Sequence, residues 1–288
     1  IKNCVFSNNQ TDDVGGGMYN YFSNPTLTNC TFTNNTAAYG GGMFNNDCSP
    51  TIDGCTFTDN TADGGGGMFI YIYSYNSNTN LNQCIFNNNL SSFYGGAIAV
   101  INCCQGNGPL NLVECTFDNN NSEEQDGDDG KGGAVYANGP IMLLMSGCVF
   151  DENKASAGGA LHLAYGPTAT ISSCVFLNNN STYNGGAIYN DASSINLSSS
   201  TFEHNIGGNS GGAMRNKNDS ECIINNCTFK WNTAQDSGGG LHNSDSDTHI
   251  TNSLFENNIA LIGDGGAIRN SGSSFSTIGS SFFCGNLH

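Results

Sequence analysis

In a chain of 288 residues, seven Lys and Arg stand against 24 Asp and Glu, and several of the few bases fall in one file. Ten copies of a Gly-Gly-Ala/Gly-apolar motif recur, and the residue after each apolar position reads Tyr19, Phe44, Phe69, Ala99, Tyr136, His162, Tyr189, Arg215, His242, Arg269. Aromatic faces stack on sugars, and Arg or His pairs with carboxylates or stacks on rings. Tyr136, His162, Tyr189, Arg215, His242 and Arg269 are therefore candidates for holding a glycan or acidic polysaccharide. The plainer reading, and the preferred one, is that stacked rings brace a sheet face. Tyr71, Tyr73 and Tyr75 lie in an aromatic insertion and offer a partner-binding patch, since Tyr is favoured at interfaces; local packing explains them equally well.

A second chemistry-bearing stretch runs from Asp118 to Lys131. Glu123, Asp126, Asp128 and Asp129 offer the oxygen ligands that Ca²⁺ takes, although Asp126-Gly127-Asp128-Asp129-Gly130 resembles a calcium loop only loosely. A solvated acidic loop is the simpler account, and no other cofactor is implied. Glycosidase or lyase chemistry needs a positioned acid/base pair, or a metal with a basic group. The acids here do not cluster on the strands, and His162, His242 and Arg215 have no obvious carboxylate partner. The expectation is a protein without catalytic activity; a polysaccharide-binding or polysaccharide-degrading rod is the alternative. Candidate N-glycosylation sequons stand at Asn9, Asn34, Asn89, Asn120, Asn179, Asn196 and Asn218. Those at Asn29 and Asn226 are read as lying within strands and are less suited.

These residues are positioned by a repeat. An Ile, Leu or Met, then Cys or Ser three residues on, then Phe two further, then Asn three further, recurs roughly every 26 residues. The phenylalanines are Phe6, Phe32, Phe57, Phe86, Phe117, Phe150, Phe176, Phe202, Phe229, Phe255 and Phe283. So short a period, without helical spacing of apolar residues, fits three short strands separated by Gly, Asn or Asp turns. The expected fold is all-β: a right-handed parallel β-helix, or β-solenoid, of about ten to eleven rungs with three strands each. Stacking like on like predicts a Phe column, an aliphatic column and a Cys/Ser column, with Asn ladders at the turns. Residues 1–288 are read as a single β-helix repeat domain. Both ends fall inside a repeat, which predicts a segment of a longer protein or ends covered by partners.

The net charge of −17 excludes a nucleic-acid partner, because phosphate binding needs a basic face. No run of 18 apolar residues is present, so no transmembrane helix is expected. Of 13 Cys, eight share one column with Ser200, Ser253 and Ser281. Serine substitutes for a small buried thiol but not for a disulfide partner, so the column is read as mostly free thiols. Cys48, Cys103, Cys104, Cys222 and Cys284 lie off it and are the better candidates for bridges or intermolecular links.

Phe86-Asn87-Asn88-Asn89 with Gly95-Gly96-Ala97-Ile98, and Phe176-Leu177-Asn178-Asn179 with Gly185-Gly186-Ala187-Ile188, resemble the repeats of the chlamydial polymorphic outer membrane proteins and of similar right-handed β-helix surface proteins. The resemblance covers nearly the whole chain. It implies an extracellular or cell-surface rod with a structural or adhesive role. Its expected partners are further copies of itself, other surface proteins, or glycans.

Overall fold

The computed structural model describes residues 1–73, 77–103, 108–122 and 130–288. One rung shows how the repeat folds. Thr26–Thr28 and Thr31–Thr33 are short strands whose inward residues, Leu27 and Phe32, are fully buried. Between them Asn29 takes a left-handed conformation (φ 51°) and turns the chain one corner. Asn34 does the same at the next corner (φ 51°). Asn tolerates this region better than other side-chain-bearing residues, which is why it crowds the turns. The corner before the second half-block is always Gly. At Gly95 (φ +59°) an added Cβ would lie 2.1 Å from the Ile98 carbonyl oxygen, so both the torsion and the space demand it.

Every strand pairs in parallel with its counterpart one rung on. The Phe strands form an 11-stranded sheet, from Val5–Ser7 to Phe282–Cys284, in strict sequence order. The aliphatic strands form a 10-stranded sheet, and so do the glycine-led strands such as Met43–Asn46. A fourth sheet of eight strands begins at Thr61–Gly64 and ends at Ile259–Ala260. This corrects the expected three strands per rung. The inward file of the fourth sheet is Ala62, Ser91, Ser122, Ala155, Ser181, Gly207, Ala234 and Ala260, paired in register. Such small residues fill a narrow corner and leave no large apolar mark in the sequence.

The core is a set of vertical files. The ten consecutive Phe pairs have ring centroids 4.6 to 5.1 Å apart, with planes within 10° of parallel. The spacing is that of adjacent strands in a sheet, so the backbone ladder sets the ring stack. Beside it runs an amide ladder. Asn120 Nδ2 donates to Asn153 Oδ1 (3.0 Å) and to the Phe86 carbonyl (3.0 Å). Its Oδ1 accepts from the Asn89 amide (3.1 Å) and from Asn89 Nδ2 (2.9 Å). Every polar atom of this buried side chain is thus used, as burial requires.

The described cysteines are free thiols. Cys55, Cys84, Cys115 and Cys148 are fully buried, and burial pushes the Cys55 thiol up to about 12. Cys48 and Cys222, expected as bridge candidates, are instead buried too deeply to meet another chain. Cys103 is exposed and Cys284 half-buried, while Cys104 lies outside the described residues.

Candidate functional site

The glycine corner brings two files of side chains face to face. The residue after each inward apolar position forms one continuous ladder: Phe69 pairs with Ala99, Ala99 with Tyr136, Tyr136 with His162, and His162 with Tyr189. Arg215, His242 and Arg269 continue it. The residue before each glycine forms a second ladder that includes Tyr39, Gly64, Tyr94, Lys131, Ala157, Asn184, Ser210 and Ser237. The left-handed glycine folds the chain so sharply that the second ladder lies over the first.

The aromatic and basic file is therefore largely covered by the segment before each glycine and is not an open face for a glycan. Phe69, Tyr136, His162, Tyr189 and His242 are all buried. Tyr39 packs edge-on against Phe69 at 5.1 Å, and Tyr94 stacks on Tyr136 at 5.0 Å. Arg215 Nη1 donates to Asn184 Oδ1 (3.0 Å), and Arg269 Nη1 to Ser237 Oγ (2.7 Å). Arg269 also meets Asp264 Oδ2 at 3.3 Å. The chemistry of the cover matches that of the file beneath: ring over ring, then amide or hydroxyl over guanidinium.

Three stretches follow one another along this corner. The first is an apolar groove of about 400 Å³ between Val14, Tyr39, Phe44, Phe69, Tyr71, Tyr94 and Ile101. The second is a cleft of about 220 Å³ lined by Lys131, Tyr136, His162, Tyr165, Tyr183, Tyr189 and Asp191. The third is the Arg215–His242–Arg269 stretch, in which His242 is buried and both arginines are half-buried. In the cleft, His162 stands edge-on between Tyr136 (5.4 Å) and Tyr189 (4.8 Å). Its Nδ1 finds no hydrogen-bond partner among the described residues. Burial, aided by the Lys131 charge, lowers the His162 pKa to about 3, so the ring is neutral. Burial raises both Tyr136 and Tyr189 to about 12. Asp191 accepts from Asn218 Nδ2 at 2.7 Å. The cleft thus presents neutral rings, phenol hydroxyls, one carboxylate and the Lys131 ammonium, a set suited to hydrogen bonding and stacking.

Sequence reasoning named Tyr136, His162 and Tyr189 but missed Lys131, Tyr165, Tyr183 and Asp191. Reading the residue before each glycine as a file of its own would have found Lys131. It also passed over Trp231, the one Trp of the chain, which stands exposed at a corner where Asn34, Asn88 and Asn119 stand in other rungs. Tyr71 lies in the apolar groove with its hydroxyl 3.2 Å from the Cys103 thiol, and Tyr73 is exposed. Tyr75 and the candidate calcium ligands Glu123, Asp126, Asp128 and Asp129 lie outside the described residues. Among the described residues no group of three or more His, Cys, Asp or Glu is placed to hold a metal ion.

The sequons divide sharply. Asn89, Asn120 and Asn179 are fully buried members of the amide ladder and cannot carry glycan in the folded rod. Asn9, Asn34, Asn196 and Asn218 are exposed. Asn29 and Asn226, expected within strands, are exposed left-handed corner residues.

Residues 1–143 match the family described as the right-handed β-helix region, and residues 173–191 match the Chlamydia polymorphic membrane protein repeat. The chain is a right-handed β-helix repeat protein, and its residues 173–191 are similar to the Pmp repeat. Searches of curated proteins and of solved structures returned no match. The matched Pmp repeat contains Phe176, Asn179, Gly185 and Tyr189, and so spans the Phe file, the amide ladder, the glycine corner and one wall of the Tyr136–His162–Tyr189 cleft. No helix among the described residues is long and apolar enough to cross a membrane.

Proposed function

We propose that this Pmp-like rod works at the cell surface or outside the cell, as a structural and adhesive element that binds extended partners along its flank and catalyses no reaction. The observation that carries the reading is the flank at the glycine corner. Its chemistry changes from apolar to tyrosyl to basic over consecutive rungs, while the files behind it stay uniform. A face that varies along a rigid axis suits a polymer or a protein surface more than a single small metabolite. The Pmp repeat supports a surface location by likeness.

The test has two arms. Antibodies to the rod should label intact, unpermeabilised source cells, and the purified protein should bind cell-surface material reversibly. Incubation with common polysaccharides should release no new reducing ends and no unsaturated products. Signal confined to permeabilised cells would remove the surface location, and product release would replace the adhesive reading with a degradative one.

A further inference from the structure

The apolar groove at the glycine corner is the mouth of a second hydrophobic cluster, which lies outside the closed coil. Phe44, Phe69 and Ala99 form its buried base, and Val14, Tyr71, Tyr94 and Ile101 pack against them while staying half-buried. The register of the corner explains why the cluster is open. Each covering residue meets the file residue one rung onward: Tyr39 meets Phe69, Tyr94 meets Tyr136, Asn184 meets Arg215 and Ser237 meets Arg269. Between Tyr39 and Tyr94 the covering residue is Gly64, and the file residue one rung onward from it is Ala99. Cover and file are both small at this step. The two tyrosines therefore stand two rungs apart, roughly 10 Å along the rod, and the groove of about 400 Å³ opens between them.

The rings of the groove have few free faces. Phe69 is stacked on Phe44 at 5.3 Å and meets Tyr39 edge-on. Tyr94 has Tyr136 stacked against it and the Lys131 ammonium 5.7 Å from its centroid. A sugar, which stacks on an open face, is poorly served by this arrangement. A side chain that needs only apolar volume is well served. No charged side chain lines the groove, yet its rim is acidic. Asp13 precedes Val14, Asp63 precedes Gly64, and Asp47 follows Asn46. Asp13 and Asp63 are exposed, and neither is in an ion pair among the described residues.

We infer that this groove docks a protein segment carrying an aromatic or long aliphatic side chain between Lys or Arg residues. The side chain would fill the space between Tyr39, Tyr71, Tyr94 and Ile101, as a buried anchor of the kind that dominates interface energetics. The flanking cations would meet the rim carboxylates, and the net charge of −17 would steer them in. The same charge repels an anionic membrane surface, which sets a protein partner ahead of a lipid. This inference rests on the adhesive reading and names the partner chemistry for the first stretch of the flank.

The test uses short fluorescein-labelled peptides in a Gly/Ser background, with Lys-Trp-Lys, Lys-Ser-Lys or Glu-Trp-Glu at the centre. Anisotropy reads their binding to the purified chain, and phosphatidylglycerol vesicles are run beside them by co-sedimentation. The Lys-Trp-Lys peptide is expected to bind at least tenfold tighter than either of the others. Tyr39→Ser, at a residue 40% exposed, should weaken it at least fivefold, with circular dichroism checking the fold. The double variant Asp13→Lys/Asp63→Lys, at two exposed positions, should make Glu-Trp-Glu the tighter ligand. Equal binding of Lys-Ser-Lys, or binding untouched by Tyr39→Ser, overturns the groove as the site. A preference unmoved by the charge reversal overturns the basic-partner assignment. Binding to vesicles alone overturns the protein partner. No binding to any probe, in protein that still binds cell-surface material, overturns this inference and leaves the adhesive reading standing; peptide binding by protein that ignores cells does the reverse.

Discussion

Two files of rings run along the same coil and behave in opposite ways. The Phe file is uniform from Phe6 to Phe283, and its rings stay within 10° of parallel. The file behind the glycine corner changes from Phe44 to Tyr136, His162, Arg215 and Arg269, and its rings tilt from stacked to edge-on. Both are set by the same ladder spacing. They differ in what lies opposite. The Phe file faces the closed interior, where each ring must fit the next. The other file faces a strip of neighbouring chain that changes from rung to rung, so each pair can be chosen separately. A solenoid thus keeps an invariant spine and carries its individuality where two segments of the coil meet at a corner.

The largest effect expected from breaking this comparison is in the spine. Phe117→Ala removes a fully buried ring that stacks on Phe86 at 5.1 Å and on Phe150 at 4.7 Å. The loss should be about 3–5 kcal/mol, read from denaturant unfolding. Asn120→Ala deprives the Phe86 carbonyl and Asn89 Nδ2 of their partners and should cost about 3 kcal/mol. If the spine were no more demanding than the flank, Tyr136→Phe would cost as much. It removes only an acceptor for Asn138 Nδ2, and should cost about 1 kcal/mol.

The next effect separates the two files by pH. His162 has a folded pKa of about 3 and His242 of about 4, both depressed mainly by burial and further by neighbouring cations, Lys131 and Lys217 for His162, Arg215 and Arg269 for His242. The ordinary value is 6.5. Below it the unfolded chain binds protons that the folded chain refuses, so stability is complete above pH about 6.5 and falls as the pH drops toward 4. The loss per histidine should reach a few kcal/mol at the acid end, roughly 1.4 kcal/mol per pH unit. His162→Gln should flatten part of the slope in thermal melts between pH 7 and 4. Asp118, raised by burial and by Asp151, works in the opposite direction and gains stability as pH falls. An acid slope unchanged in His162→Gln would show that the cleft does not keep this ring neutral.

The contrast also explains what could be read from the residues. Phe32, Leu27, Cys30 and Asn35 repeat because identical rungs stack, so period alone gave the coil, its files and the amide ladder. The fourth sheet escaped because Ala62, Ser91 and Gly207 are small enough to pass for turn residues. The members of the flank were legible in Tyr136, His162 and Arg215, but their cover was not. Nothing in strand alternation says that a residue facing away from the coil will be roofed by the segment before the glycine. That follows from the left-handed corner itself. Asn89 and Asn120 show the same blindness in reverse: the sequon looks alike whether the amide is free or locked in a ladder.

The smallest effect concerns the Cys file, which belongs to the spine by position but tolerates change. Ser200 Oγ accepts from the Cys174 amide (3.1 Å) and donates to the Ser198 carbonyl (2.8 Å). Cys55 Sγ makes the same pair of contacts, with the Cys30 amide at 3.3 Å and the Asp53 carbonyl at 3.5 Å. A hydroxyl therefore replaces a thiol here without stranding a backbone group. Cys115→Ser should shift stability by about 1 kcal/mol or less. A disulfide linking neighbouring rungs would instead make the same substitution cost about 2–5 kcal/mol. Alkylation of the denatured protein without reductant, followed by intact-mass analysis, gives an independent reading: every column thiol should take up label. Protected thiols together with a large loss in Cys115→Ser would mean that this file is cross-linked, and that the spine is stapled as well as stacked.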